Sequence, residues 1–326
     1  YLGTTIRDLK EMIDGLLQDL YRISRGGEEF RVPHRVGEVH YVLSSPWIVS
    51  QARTVTASFD HDTVISEDRV NKILAQEREN IGIDGKIETD ILEEKIFDVR
   101  LNGYSIENWR GKEATELQIS YALSAGSRNS IRKLKEVALD GARCKKVYFH
   151  SSLLLQYISL RGAAVPEDSY VFLHIHGELT DLVVVKNKSC SFFGSFPLGV
   201  NTIMRKIAEA TNTDYKTAES LLSLYLGNHI EESREKKASF VINNLAWSWA
   251  NEIGKLWKND PADSPQGSNK GGGFSENLPE TVFIIARAHG DFFERSFRTV
   301  YPRAKIGKLE VDMVSTYSLA IHGMEK

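Results

Sequence analysis

The sequence predicts an α/β fold of two domains, and three observations carry that prediction. The chain has 326 residues, enough for two ordinary domains that each bury a core of their own. Its 41% hydrophobic and 26% charged residues are the mixture of a globular protein, with only local room for disorder. Short apolar runs of strand length also alternate with longer stretches of helical period.

Bulk charge removes some functions. Lys plus Arg number 41 against 44 for Asp plus Glu, so no broad basic footprint for nucleic acid is present. No run of about 18 apolar residues and no basic-plus-apolar leader is seen, and no direct membrane span is expected. Cys144 and Cys190 lack metal-ligand spacing and read as two buried thiols of a reducing, cytoplasmic compartment.

Taken in order, Ile6, Leu9, Ile13, Leu16, Leu17 and Leu20 line one face of a helix over residues 5–23, expected to pack on the core. Val39–Leu43 reads as a buried strand and Gln51–Phe59 as a half-solvated one; Ser44–Ser45–Pro46 between them suggests a hairpin-like pair. Ser66 offers an N-cap, with Glu67 and Asp68 in the first turn of a helix reaching Asn80. Strands follow at Glu94–Asn102 and Thr115–Leu123, a helix at Ser130–Leu139, a strand at Lys145–Phe149 and a helix at Ser152–Ser159. Tyr170–Ile175 and Leu182–Val185 are the strongest strand pair. Helices are expected at Thr202–Ala210, Tyr215–Leu226 and Ala238–Trp257, with Trp247, Trp249 and Trp257 in core or interface packing. The Gly, Ser, Asp and Pro of 259–277 predict a mobile insertion, and Gly271–Gly273 is no phosphate loop because no Gly-Lys-Ser/Thr follows. A strand at Val282–Ala286, a helix at Asp291–Val300 and a closing segment at Val311–Ile321 complete the chain.

The chemistry concentrates in the turn His176–Gly177–Glu178–Leu179–Thr180–Asp181 between the two strongest strands. Gly177 admits a close backbone approach, Thr180 supplies a hydroxyl, and successive amides of such a turn can cradle an anion. His174 and His176 point the same way on a strand, but without an obvious third ligand they are expected to be hydrogen-bonded structure rather than a metal pair.

The segment Val171–Asp181 resembles the second phosphate loop of actin-like ATPases, in which a strand ends in Asp-Ile-Gly-Gly-Gly-Thr-Thr-Asp. Ser195–Gly199 and the helix after it resemble the strand-to-helix step of FtsA, and Ala218–Glu219 the Ala-Glu pair near its adenosine. Val39–Asn80 is similar to the FtsA insert subdomain, and Asn102–Tyr104 with Trp109–Lys112 to the stretch that follows it. The sequence departs from that pattern too. His174 stands where the family has an aspartate that organises the metal, and Glu178 would repel a polyphosphate. Only Gly290 remains of the adenosine-side glycines, in Ile285–Gly290.

The resemblance implies an actin-like, ribonuclease H-like two-domain fold with an FtsA-type insert, of the FtsA/PilM kind. Residues 1–35 would be helix and linker of a first domain whose first strands and phosphate loop lie before Tyr1. Residues 36–125 would be the insert and return strands, 126–168 the rest of that domain, and 169–326 the second domain with its insertion at 259–278. The implied nucleotide contacts are Gly177, Glu178, Thr180, Gly199, Glu219 and Gly290, with ATP and Mg as the ligand and binding weakened or lost. The implied role is a bacterial scaffold that self-associates and docks on protein partners of division or pilus machinery, cytoplasmic or peripheral at the inner face of the membrane. The alternative is a working Mg-ATP hydrolase. FtsA-like proteins reach the membrane through a C-terminal amphipathic helix, which Gly307–Lys326 does not display.

Overall fold

A computed structural model describes residues 2–24, 36–80, 88–162, 167–227, 235–258, 278–286 and 288–307. The expected insertion at 259–277, the closing segment at 311–321 and Arg287 lie outside them.

Helix α1 (Leu2–Ser24) packs on α3 (Arg128–Gly141), where Ile13 lies against Gly141. Its apolar stripe is only partly covered, since Leu16 is exposed. Strand β1 (Glu38–Leu43) runs parallel to β6 (Lys146–Ser151), with Tyr41 opposite Phe149 and Val42 opposite His150. The expected hairpin with the next strand does not form. Strand β2 (Ile48–Val64) instead pairs antiparallel with β5 (Glu113–Ser127), so Ser44–Ser45–Pro46 redirects the chain from one sheet into another. A polar turn reports that the chain bends, not whether it returns beside itself. β1 is also half-buried rather than buried, because among the described residues β6 is its only partner.

The second sheet has the order β2-β5-β3-β4, with β3 at Thr89–Leu101 and β4 at Tyr104–Ser105. Helix α2 (Glu67–Asn80) covers one face; the Ser66 hydroxyl accepts from the Arg69 amide at 3.3 Å, and two carboxylates sit in its first turn. Val70 and Leu74 bury against Leu117, Ile119, Tyr121 and Leu123, alternate residues of β5. The opposite face of β5 is buried too, Ala122 meeting Leu154 and Tyr157 of α4 (Ser152–Gly162).

The third sheet has the order β11-β10-β7-β8-β9. Strands β7 (Tyr170–Ile175), β8 (Thr180–Lys186) and β9 (Ser189–Phe196) form an antiparallel meander, while β10 (Thr281–Ala286) and β11 (Lys305–Gly307) run parallel. Both faces are covered, which is why β7 and β8 read as nearly unbroken apolar runs. On one side Val171, Leu173, Leu182 and Val184 pack with residues of α5 (Val200–Thr211), α6 (Tyr215–Leu226), α7 (Glu235–Lys258) and α8 (Gly290–Val300). On the other, Phe172, Val183 and Val185 meet Leu154, Tyr157 and Leu160 of α4. Each such side chain contributes about 1.5–3 kcal/mol on burial, so α4 is held between two sheets. Trp249 and Trp257 are buried as expected, but Trp247 is 57% exposed. A two-residue step turns about 200° around a helix, so Trp247 and Trp249 cannot share a face. Cys144 and Cys190 are buried, and neither forms a disulfide.

Candidate functional site

The β7–β8 hairpin closes through His176–Leu179, with the His176 amide donating to the Leu179 carbonyl at 2.8 Å. Helix α5 starts against this turn. Its Gly199 cap has no side chain to offer, so the turn's carbonyls take the first amides: Val200 donates to His176 at 2.9 Å and Asn201 to Gly177 at 2.7 Å. The approach is close enough that a Cβ on Gly199 would lie 2.4 Å from the His176 oxygen and 2.6 Å from the Gly177 oxygen. A Cβ on Gly177 would meet only the end of the Asn201 side chain, at 2.7 Å.

Two neighbours of these glycines are engaged by the protein itself. Thr180 is fully buried; its hydroxyl donates to the Leu198 carbonyl at 2.7 Å and accepts from the Trp249 indole at 2.9 Å. The Glu178 carboxylate points back along α5 and accepts from Arg205 at 2.9 Å, Asn201 at 3.2 Å and the Thr202 hydroxyl at 3.3 Å. The Arg205 hydrogen bonds hold its carboxyl down at about 2.

Glu219 and Gly290 form a second group. Gly290 is the first residue of α8, and its cap His289 has the left-handed φ of 56°. The His289 Nε2 lies 3.4 Å from Glu219 Oε1. Helix α6 joins the two groups, because Tyr215 donates to Asn201 at 3.2 Å and Glu219 stands one turn further along. The candidate residues therefore line a strip from the hairpin turn, past the starts of α5 and α6, to the start of α8.

Behind the hairpin, on its α4 face, lies a polar cluster that the sequence did not disclose. Asp181 is fully buried and accepts from Ser195 at 2.7 Å, Ser152 at 3.0 Å, Gln156 at 3.1 Å and His176 at 3.0 Å. Burial opposes its ionisation, but those hydrogen bonds, His176 foremost, leave the carboxyl below its usual range. The His174 and His176 rings lie 4.0 Å apart, and His174 Nδ1 meets the Gln156 amide at 3.1 Å. Burial, then the neighbouring His176, pushes His174 down to about 4. Among the described residues the Gln156 Oε1 has no partner, and no group of three or more His, Cys, Asp or Glu is placed to hold a metal. The one available signal was Ser152 and Gln156, four apart in the largely apolar helix SLLLQYISL.

A cavity of about 300 Å³ adjoins this cluster at the carboxyl ends of the parallel strands β1 and β6. Leu43, Ser44, Ser50, Ser151, Ser152 and Phe193 line it. Such crevices are where open α/β sheets take ligands. The Ser44 hydroxyl donates to Ser152 at 2.9 Å, and the Ser152 hydroxyl in turn donates to Asp181, so the inner wall is already hydrogen-bonded.

No protein-family model and no curated protein matches the chain. Its architecture is nevertheless that of the actin-like ATPases. A solved "PilM-PilN type IV pilus biogenesis complex" is similar over 94% of this chain and 85% of that one, at 14% identity and a TM-score of 0.56. A Bacteroides thetaiotaomicron protein described as having an actin-like ATPase fold and unknown function covers 93% of the chain and 80% of its own, at 7% identity and a TM-score of 0.35. The ethanolamine utilization protein EutJ from Carboxydothermus hydrogenoformans covers 59% and 61%, at 14% identity and a TM-score of 0.37.

Mg-ATP is the group this fold implies, and the described residues fit it poorly. The position that carries an aspartate in the resembled loop holds a part-buried His174, whose pKa is pushed down to about 4 so that the ring is neutral near pH 7. The Thr180 hydroxyl has both its donor and an acceptor position in use, and the Glu178 carboxylate adds a negative charge beside the turn.

Proposed function

We propose that the chain is an actin-like scaffold protein of a bacterial envelope machine, acting through self-association and docking on protein partners, with nucleotide binding weak or lost. The observation that carries this reading is the state of the β7–β8 turn. Its carbonyls bind the start of α5, its threonine hydroxyl donates to the Leu198 carbonyl inside the core, and its glutamate is paired with Arg205. Phosphate is received by donors, and the Thr180 hydroxyl proton is spent on the Leu198 carbonyl while the glutamate adds negative charge beside the turn. Here these groups hold the domain together.

Two assembly roles suit such a scaffold. One is an FtsA-like part in cell division, which the sequence resemblance suggests. The other is a PilM-like part in pilus assembly, supported by the likeness to the pilus complex over nearly the whole chain. Either would place the protein in the cytoplasm, at the inner face of the membrane. Among the described residues no helix is long and apolar enough to cross a membrane.

The test is a titration of the whole protein with a fluorescent ATP analogue, with and without magnesium. No magnesium-dependent binding in the micromolar range is expected. Such binding, abolished by excess unlabelled ATP, would establish the alternative, a working Mg-ATPase.

A further inference from the structure

A second pair of histidines, remote in sequence from the hairpin, bridges the two strands of the parallel pair. His40 of β1 and His150 of β6 lie two rungs apart in the parallel register, on the same face, with rings 5.2 Å apart and only 9° from parallel. His40 Nδ1 faces His150 Nε2 at 3.0 Å. Each outer nitrogen meets a carboxylate: His150 Nδ1 lies 2.9 Å from Glu93 Oε1, and His40 Nε2 lies 3.4 Å from Glu38 Oε2. The other Glu93 oxygen accepts from the Ser151 amide at 2.7 Å. Glu93 belongs to β3, so this row of groups ties the four-stranded sheet to the end of β6 and the start of α4.

The partners dictate where the protons sit. The Glu93 carboxylate accepts, so His150 Nδ1 carries a hydrogen. In the neutral ring His150 Nε2 is then a lone pair, and His40 Nδ1 must donate to it. One further proton, on His40 Nε2, completes the row by donating to Glu38. A second would have to enter on His150 Nε2, setting two N–H bonds head-on across 3.0 Å and two cations side by side. The contact accommodates at most one charge. The other groups facing it do not relieve this limit. Lys146 of β6 lies 3.5 Å from Glu38 and adds positive charge, while Tyr148 stacks on His40 at 4.8 Å.

We infer that the His40–His150 contact is a pH-sensitive latch between strands β1 and β6, closed while at most one ring is charged and open once both are. Charging of the second ring then loosens β1 against β6 without unfolding the five-stranded sheet. For a scaffold, that is a change within the strand pair to which Glu93 ties the four-stranded sheet.

Hydrogen exchange of the whole protein at about pH 7.5 and pH 5.5, corrected for intrinsic rates, tests the latch. Amides of β1 and β6 should exchange roughly tenfold faster at the lower pH, the loss of one hydrogen bond's worth of protection. In His40→Gln, whose side chain can bond but not charge, that response should vanish, while any acid response of β7 and β8 persists. Unchanged protection of β1 and β6 in the native protein overturns the inference. So does a response that survives His40→Gln. Should the variant not fold, nitrogen-15 spectra of the native imidazoles serve instead. Charging of both rings in step with faster exchange supports the latch, and charging of both with no change in β1 or β6 refutes it.

Discussion

Gly199 and Gly290 stand at the starts of α5 and α8, at opposite ends of one strip of candidate residues, and their surroundings differ completely. A Cβ at Gly199 would strike three backbone atoms of the hairpin turn within 2.6 Å, whereas one at Gly290 would meet nothing within 4 Å among the described residues. The first glycine exists for packing between two pieces of backbone. The second leaves open space beside Glu219 and His289. Two glycines that a motif treats as equivalent ligand contacts thus answer to different forces, and only the α8 end retains room beside its backbone.

Substitution would break this comparison most sharply. Gly199→Ala is expected to destabilise the protein by about 3 kcal/mol, because backbone cannot move aside as a side chain can. Gly290→Ala should stay within about 0.5 kcal/mol, with the lower conformational entropy of the unfolded chain in its favour. Chemical denaturation of both variants measures the gap, and equal losses would mean that α5 can shift off the turn.

Acid probes the cluster behind the hairpin. His174 is held at about 4 in the folded protein, against about 6.5 in an unfolded chain. Its contribution is therefore complete above about pH 6.5 and is lost as pH falls from there toward 4, because the unfolded chain takes up a proton that the native ring refuses. The loss amounts to about 3 kcal/mol at most, and His174→Gln should flatten stability against pH in that window. A variant that keeps the native slope would place the effect elsewhere.

The smallest expected effect is at Glu178. The pair with Arg205 is well formed, yet both side chains are 58% exposed, so Glu178→Gln should cost under about 1 kcal/mol, and less at high salt. A loss of several kcal/mol would show that the pair anchors α5 rather than decorates it.

Much of the architecture was legible locally. The helical stripe of Val70, Ile73 and Leu74 behind a Ser-Glu-Asp start, and the apolar runs either side of His176–Leu179, mark their elements by period and turn chemistry alone. Strand β9 was not seen, because Ser189–Phe196 mixes Ser and Gly with its aromatics and alternates weakly. The polar cluster was hidden for a different reason. Ser152, Gln156 and Ser195 are ordinary residues until the fold sets them around Asp181.

By itself the sequence determined the order of the elements, the hairpin and the glycines that let backbone come close, since these depend on periodicity and on local φ/ψ freedom. Only the tertiary structure decided that β1 lies beside β6 rather than β2, that the Thr180 hydroxyl turns inward to Trp249, and that Glu178 finds Arg205. Each of those outcomes is a choice among partners distant in the chain. It is settled by which surfaces bury together and which buried polar groups can be satisfied there, and neither is written in any single stretch of residues.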